Sequence, residues 1–542
     1  MKKLTKKELF LSVFVVLFLN ICGSPSRCFG NVEPIGEAKI SGVLHRNMAG
    51  DTLVLSYWKN AISKPRYRAV LPAVQIPVVI TKEGKFEVTI PIYEKAQYAS
   101  LKSGMKKQQW IELYGFDDEG KVQDLSKSIS VPVVDLDKFI LEPGDEIKID
   151  GISGDLNFSG KGAHKIKFLK QVANDLDAPK ELMAFLYTDA LRIHKSLSHY
   201  DACQRFALNV LREYRGSISS FVFDMLTADI VGENQIRKIN LVNRTRLTDS
   251  VKMNVFLDIY KSQFLDDPVP LVGELTNEAL GLSVYFSEFM LGRLAIDESY
   301  HYLLHPGDRL KSREDLLETI LAKYDGLLGD KMATLFCSDS EKLVAQAEFE
   351  SQLARSLNKL EDPFLKSIIQ RYKDDFSRGA TAYNFTMLDK DGREVQLKDF
   401  LGKVVFVDMW FTGCGACQWV AEGMREFERD FKDDQDVVFL SISIDKNRQL
   451  WLNSITKDAQ TDPDIIGYQF PGAYYSGERS IYLNTLNGSD DPFIKKYVTR
   501  GYPTLLLIDK KGEVFSVSAP RPTGEEGRKL LMDQINEARH KS

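Results

Sequence analysis

From Glu37 to about Gly160 the chain alternates apolar and polar residues in short runs. After the turn Lys82-Glu83-Gly84, the segment Lys85-Phe86-Glu87-Val88-Thr89-Ile90-Pro91-Ile92 keeps a period of two, the mark of a strand with one buried face. Similar runs fall at Thr52–Tyr57, Ile76–Thr81, Gln109–Tyr114, Ser128–Val134, Phe139–Leu141, Glu146–Ile149 and Leu156–Phe158. Their spacing, punctuated by Gly, Pro and Asp, predicts an all-β, antiparallel sandwich-like domain over residues 31–162. From Ala163 to Arg378 the apolar period becomes helical. Leu316, Leu317, Ile320, Leu321, Tyr324, Leu327 and Leu328 share one stripe behind the candidate cap Ser312, and Asp362-Pro363 starts a second helix with Leu365, Ile368, Ile369 and Tyr372 on its apolar face. Residues 163–378 therefore read as a central α-helical domain with no fixed repeat. After Gly379 the pattern alternates: the apolar runs Lys403–Trp410 and Asp436–Ile444 are each followed by a polar-faced helical segment. Thr504–Ile508 and Val514–Val517 then flank the turn Asp509-Lys510-Lys511-Gly512, and Thr523–Arg539 is helical. Strand, helix, strand, helix, hairpin, helix is the order of an α/β domain over residues 379–542.

Composition narrows the class without naming a function. The 542 residues are 44% hydrophobic and 27% charged, which excludes disordered, collagen-like and polytopic membrane chains and fits several domains. With 71 Lys and Arg against 76 Asp and Glu, the net charge of −5 carries no basic footprint for nucleic acid. Residues 1–30 read as an export signal: Lys2, Lys3, Lys6 and Lys7 precede the apolar stretch Leu9–Cys22, and Cys28 and Gly30 are small residues suited to cleavage before Asn31. Acylation at Cys22 is the competing reading, disfavoured by the bulk of Ile21. Either way the mature chain is expected outside the cytoplasm, where thiols meet an oxidising environment.

Of the six cysteines, Cys22 and Cys28 belong to the leader, and spacing leaves open whether Cys203 and Cys337 pair. Cys414 and Cys417 form a Cys-x-x-Cys directly after the apolar strand Val404–Trp410, with Gln418–Phe431 reading as a helix. Cys414 is thereby placed at a helix N-terminus, where free N–H groups and the macrodipole favour a thiolate and lower its pKa from about 8.5. Cys417, one turn further in, is more shielded and suited to resolving a mixed disulfide. A structural metal would need two further ligands, and the only His after Gly379 is His540, so neither a metal nor another cofactor is expected. His301 and His305 have the spacing of a zinc helix, but no Glu follows His301 and Pro306 ends the segment, which reads as surface or packing.

These features, with Asp391-Gly392-Arg393-Glu394-Val395-Gln396-Leu397, Gly402-Lys403-Val404-Val405, Trp410, and Gly501-Tyr502-Pro503-Thr504 before Leu505–Asp509, resemble the TlpA/ResA-type thiol:disulfide oxidoreductases of the thioredoxin family. The resemblance covers residues 379–542 and implies a thioredoxin fold, with Cys414 attacking, Cys417 resolving and Asp408 a buried acid that takes the Cys417 proton. It implies a cis peptide before Pro503, and a substrate surface of Trp410, Gly501, Tyr502, Pro503 and Thr504. Leu141–Asp145 and Phe158–Gly162 are similar to Bacteroidetes proteins that place a β-rich and a helical region before such a domain, implying the periplasm or envelope of a diderm bacterium. Implied partners are exported proteins bearing disulfides or thiols, and a membrane-borne thiol electron donor; the oligomeric state is not implied.

The chain departs from the family pattern at several places. Gly413 stands where a Trp often precedes the first cysteine, Ala416 replaces a frequent Pro, and Glu422-Gly423 occupies the place of a kinking Pro. The stretch before Pro503 is long and holds Trp451, Tyr468, Phe470, Tyr474, Tyr475 and Tyr482, either a partner groove or a satellite core. A peroxiredoxin-like peroxidase would want Thr where Phe411 stands, and a copper chaperone would want a His in the domain. The rival from another class is a redox-inert binding or scaffold protein.

Overall fold

The computed structural model describes residues 33–61, 73–103, 114–116, 122–124, 134–153, 155–175, 190–245, 250–265, 271, 273–305, 307–455, 479–498 and 501–540. The export leader with Cys22 and Cys28, most of the expected strands Gln109–Tyr114 and Ser128–Val134, Pro306, and Tyr468, Phe470, Tyr474 and Tyr475 lie outside the described residues. The chain forms two compact units, one built from the residues up to Lys311 with Ala322–Met332, the other from Ser312–Leu321 with the residues from Ala333 onward. Among the described residues no helix is long and apolar enough to cross a membrane.

The first unit begins with two four-stranded sheets. One runs, in spatial order, Asn157–Lys161, Glu146–Gly151, Gly36–Leu44 and Lys85–Ile92; the other runs Val74–Val79, Thr52–Trp58, Gln97–Ser103 and Asp135–Leu141. Ile40, Ile90 and Ile147 of the first meet Leu55, Leu101 and Phe139 of the second in one apolar cluster, which makes the pair a sandwich. The expected all-antiparallel pairing is corrected in one place: Gly36–Leu44 and Glu146–Gly151 run parallel, which the long intervening chain allows. The strand Gln97–Ser103 was not legible, because burial of Gln97 and Ser100 gives it no alternation of polarity.

Helices follow, including Ala163–Asp175, Ala190–Glu213, Ser220–Thr245 and Phe286–Leu304. Two buried lysines tie the polar interior of this unit together. Lys165 is 1% exposed and donates to Asp145 at 2.5 Å and Glu142 at 2.9 Å. Asp145 also accepts from the Glu142 amide, and its carboxylate lies so close to Gly162, at φ +88°, that a Cβ there would fall 2.3 Å from it. The two similar segments Leu141–Asp145 and Phe158–Gly162 are thus parts of one packed ion-pair site. Lys331 is fully buried and donates to the carbonyls of Ala61, Gly281 and Ser283 at 3.0, 2.8 and 2.9 Å, satisfying all three of its protons.

The apolar stripe from Leu316 to Leu328 is split between two helices, Arg313–Lys323 and Gly326–Ser340. Gly326 at φ +57° provides the break. Ser312 and Asp362 cap as the sequence implies, accepting from Asp315 N and Leu365 N. The helices Gln346–Lys359 and Pro363–Phe376, read from sequence as part of the central helical segment, are compact with the C-terminal sheet. Buried Gln346 explains this: its amide donates to Phe376 O, and its carbonyl accepts from Val517 N. Cys203 and Cys337 are free, buried thiols, and burial pushes Cys337 up to about 12.

The second unit is organised on a seven-stranded sheet in the order Glu394–Gln396, Thr386–Asp389, Ser480–Asn484, Val437–Ser443, Val404–Trp410, Thr504–Ile508, Val514–Ser516. Ser480–Asn484, Val437–Ser443 and Val404–Trp410 run parallel, and Thr504–Ile508 is antiparallel to the last of them. Val404 and Phe406 pack under Val420, Met424 and Phe427 of the helix Gly415–Phe427 and under Leu531 and Ile535 of the helix Gly524–His540. Strand, helix and C-terminal helix so fix the place where the chain turns from Trp410 into Gly415.

Replacing Lys331 by Met would strand three buried carbonyls without a donor. Lys331→Met is expected to lower unfolding free energy by about 3–5 kcal/mol, read as a reduced urea midpoint at unchanged slope.

Candidate active site

Every residue of the strand Val404–Trp410 is buried, so this strand delivers its last side chains into a dry interior. By the two-residue period, Asp408 and Trp410 share the face on which Val404 and Phe406 meet the helix Gly415–Phe427. The chain leaves the strand through Phe411, Thr412 and Gly413. Cys414 N donates to Phe411 O at 3.2 Å to close the turn, and Gly413 sits at φ +91°. Cys414 then caps the helix, its Sγ accepting from Cys417 N at 3.2 Å. The sulfur therefore meets a first-turn N–H of the kind that stabilises a thiolate.

Cys414 and Cys417 form a disulfide with Cα atoms 5.3 Å apart. Cys417 is fully buried and Cys414 is 6% exposed. Trp410, Ala421, Trp451 and Ile455 enclose the pair, with Leu452, Tyr482 and Tyr502 packed against them. Of the aromatic-rich stretch, Trp451 and Tyr482 thus belong to an apolar wall behind the disulfide.

Asp408 sits in this dry environment with 7% exposure. Its Oδ1 has no hydrogen-bond partner among the described residues. Desolvation alone pushes its carboxyl up to about 7, so the group holds its proton far beyond the ordinary carboxylate range.

The remaining expected residues divide by accessibility. The Tyr502–Pro503 peptide is cis. Gly501 is exposed and Tyr502 and Pro503 are half-buried, while Thr504 is buried and donates from its hydroxyl to Gly501 O at 2.6 Å. Tyr502 packs edge-on against Phe411, their ring centroids 5.5 Å apart, which brings the proline loop against the cysteine turn. Trp410 differs from the expectation: it is fully buried and its indole N–H donates to Ser441 Oγ at 2.7 Å, so it supports the disulfide from behind and offers no surface to a substrate. Ala416, between the cysteines, opens onto a surface groove of 800 Å³ walled by Trp419, Val420, Arg521, Pro522 and Arg528. Trp419 is 70% exposed.

One part of the site was missed from sequence. Asp445, just past the strand Val437–Ser443, accepts from Thr412 N at 3.2 Å, from Thr412 Oγ1 at 2.7 Å and from Ser443 Oγ at 2.8 Å. Thr412 Oγ1 also lies 2.7 Å from Ser454 Oγ, and Asn484 Nδ2 donates to Asp445 O at 2.9 Å. The cluster gathers small polar residues at the carboxyl ends of neighbouring parallel strands, where open α/β sheets build their sites, and only the strand pairing brings them together. Among the described residues, no group of three His, Cys, Asp or Glu is arranged to hold a metal ion.

Residues 378–517 match the AhpC/TSA family. The thiol-disulfide oxidoreductase ResA of Bacillus thuringiensis (strain Al Hakam) is 27% identical over 154 residues, 28% of this chain and 76% of that protein. ResA of Bacillus subtilis (strain 168) is 26% identical over 164 residues, 30% of this chain and 77% of that protein. Among solved structures, the thioredoxin domain of a thiol-disulfide oxidoreductase from Bacteroides vulgatus is 22% identical with a TM-score of 0.23, covering 30% of this chain and 98% of that one.

Two substitutions probe this geometry. A Cβ at Gly413 would meet nothing within 4 Å, so the penalty of Gly413→Ala is the positive φ alone. It is expected to cost about 1–2 kcal/mol in urea unfolding. For Asp408, the folded carboxyl titrates at about 7 against its ordinary 3.8. Between those values the folded state keeps a proton that the unfolded state has released, so stability falls as pH rises through the interval and levels off above it. Asp408→Asn removes this contribution, and urea midpoints at about pH 5 and about pH 8 should show a smaller loss for the variant than for the wild type.

Proposed function

From a C-terminal thioredoxin-like domain of the thiol-disulfide oxidoreductase type, we propose that the chain is an extracytoplasmic enzyme that reduces or exchanges disulfides of exported proteins through Cys414 and Cys417. The observation that carries the reading is the placement of Cys414 as the cap of the helix Gly415–Phe427, with Cys417 shielded one turn behind it. In the reducing direction the Cys414 thiolate attacks one sulfur of a substrate disulfide, giving a mixed disulfide and releasing a substrate thiolate. Cys417 then attacks Cys414 Sγ, the second substrate thiol leaves, and two electrons have passed from the dithiol to the substrate. Asp408, whose carboxyl titrates at about 7, is present partly as the carboxylate near neutral pH, and that form takes the Cys417 proton.

The substrate chain lies along Gly501, Tyr502 and Pro503, the accessible part of the proline loop, and the groove beginning at Ala416 offers Trp419 for apolar contact. A thiol protein at the membrane resets the pair. The leader pattern of residues 1–30 supports export, to the periplasm or cell envelope. A redox-inert scaffold would need no capped cysteine beside a desolvated acid, and a peroxidase reading lacks the threonine that Phe411 replaces.

The test is insulin-disulfide reduction by the purified chain with dithiothreitol as donor. Cys414→Ser should abolish the acceleration, and Cys417→Ser, reduced beforehand and freed of dithiothreitol, should accumulate a mixed disulfide with insulin visible on a non-reducing gel. Equal rates for the wild type and Cys414→Ser would overturn the reading.

A further inference from the structure

The turn that presents Cys414 is held at one end by the helix and at the other by a single carboxylate. Between Trp410 and Cys414 the chain has three residues, and one of them is Gly413 in the left-handed region, which by itself imposes little order. Thr412 is where order is imposed. Its amide N–H and its hydroxyl both reach the Asp445 carboxylate, which Ser443 Oγ also approaches, while Asn484 holds the Asp445 carbonyl. The acceptor is thus itself fixed from the ends of two further strands. Among the described residues, the hydrogen bonds to the Asp445 carboxylate come from one amide and two hydroxyls.

We infer that Asp445 is a positioning residue for the redox centre: through Thr412 it fixes the turn Phe411–Cys414 so that Cys414 Sγ stays over the first-turn N–H groups of its helix. The inference rests on the reading of Cys414 as the attacking thiol, and adds a residue that touches neither sulfur. Its physical basis is that a thiolate gains from the helix N-terminus only while it stays within hydrogen-bond reach, as Cys414 Sγ does at 3.2 Å from Cys417 N. A loosened turn lets the sulfur drift from those donors, so the thiol holds its proton to higher pH. The charge of Asp445 acts in the opposite sense, since a nearby anion disfavours a thiolate. Positioning and charge therefore predict shifts of opposite sign when the carboxylate is removed.

The experiment uses the full chain, reduced with dithiothreitol, and follows iodoacetamide alkylation of Cys414 against pH in Asp445→Ala, Asp445→Asn and Thr412→Val. Positioning predicts a raised midpoint in Asp445→Ala and Thr412→Val, with the thiolate fraction below the midpoint reduced about threefold to tenfold. Asp445→Asn, which keeps an oxygen acceptor for Thr412 and loses only the charge, should not raise the midpoint, and Asp445→Ala combined with Thr412→Val should shift no further than Asp445→Ala alone. A lowered midpoint in both Asp445 variants with none in Thr412→Val would assign the effect to charge and overturn the inference, as would unchanged midpoints throughout. Thr412→Val is nearly isosteric, which keeps the test available if Asp445→Ala fails to fold. Alkylation needs no substrate protein, so it reports on Asp445 even if the wild type leaves insulin intact, an outcome that would count against the oxidoreductase reading alone.

Discussion

The site depends on the complete burial of one strand. Val404–Trp410 is flanked on both edges by other strands and covered by helices on the face that carries Val404 and Phe406. A polar group placed on such a strand loses its water and gains little in return, which is why Asp408 keeps its proton to about pH 7. The same burial obliges the chain to end the strand by turning outward. The helix that begins after the turn then offers unpaired N–H groups at the rim of that dry interior. A desolvated acid and a helix N-terminus capped by Cys414 are two outcomes of one packing arrangement.

Much of this was legible because it is local. The apolar run before Cys414 and the spacing to Cys417 lie within one strand, one turn and the start of one helix, where periodicity and capping rules act directly, and the family resemblance supplied Asp408 on the same strand. Asp445 was not legible, since its significance comes from Thr412, Ser443 and Asn484, residues that only sheet pairing brings together. Trp410 was expected at the substrate surface because it adjoins the motif. A strand that remains buried through its final residue instead turns the indole inward to Ser441. The helices Gln346–Lys359 and Pro363–Phe376 show a further limit: an amphipathic stripe reveals that a helix packs, and Gln346 reveals against what.

The first unit handles buried charge differently. Lys165 meets two carboxylates, and Lys331 spends all three of its protons on backbone carbonyls. Lys331 is saturated and Lys165 is paired with charge, and a buried group held in this way specifies packing. Among the described residues, Asp408 in the second unit has an oxygen without a partner, the condition under which a buried group can still take part in proton transfer.

The anchoring of Thr412 has a consequence for how the molecule comes into being. Cys414 and Cys417 precede Asp445, Asn484 and the Tyr502–Pro503 loop along the chain. A growing chain therefore carries both sulfurs before it carries the residues that steady and cover them. Until the strand Ser480–Asn484 has docked, the pair is an ordinary vicinal dithiol on an unfinished scaffold. Its steadying depends on the sheet that Ser480–Asn484 completes and is not a property of the motif alone.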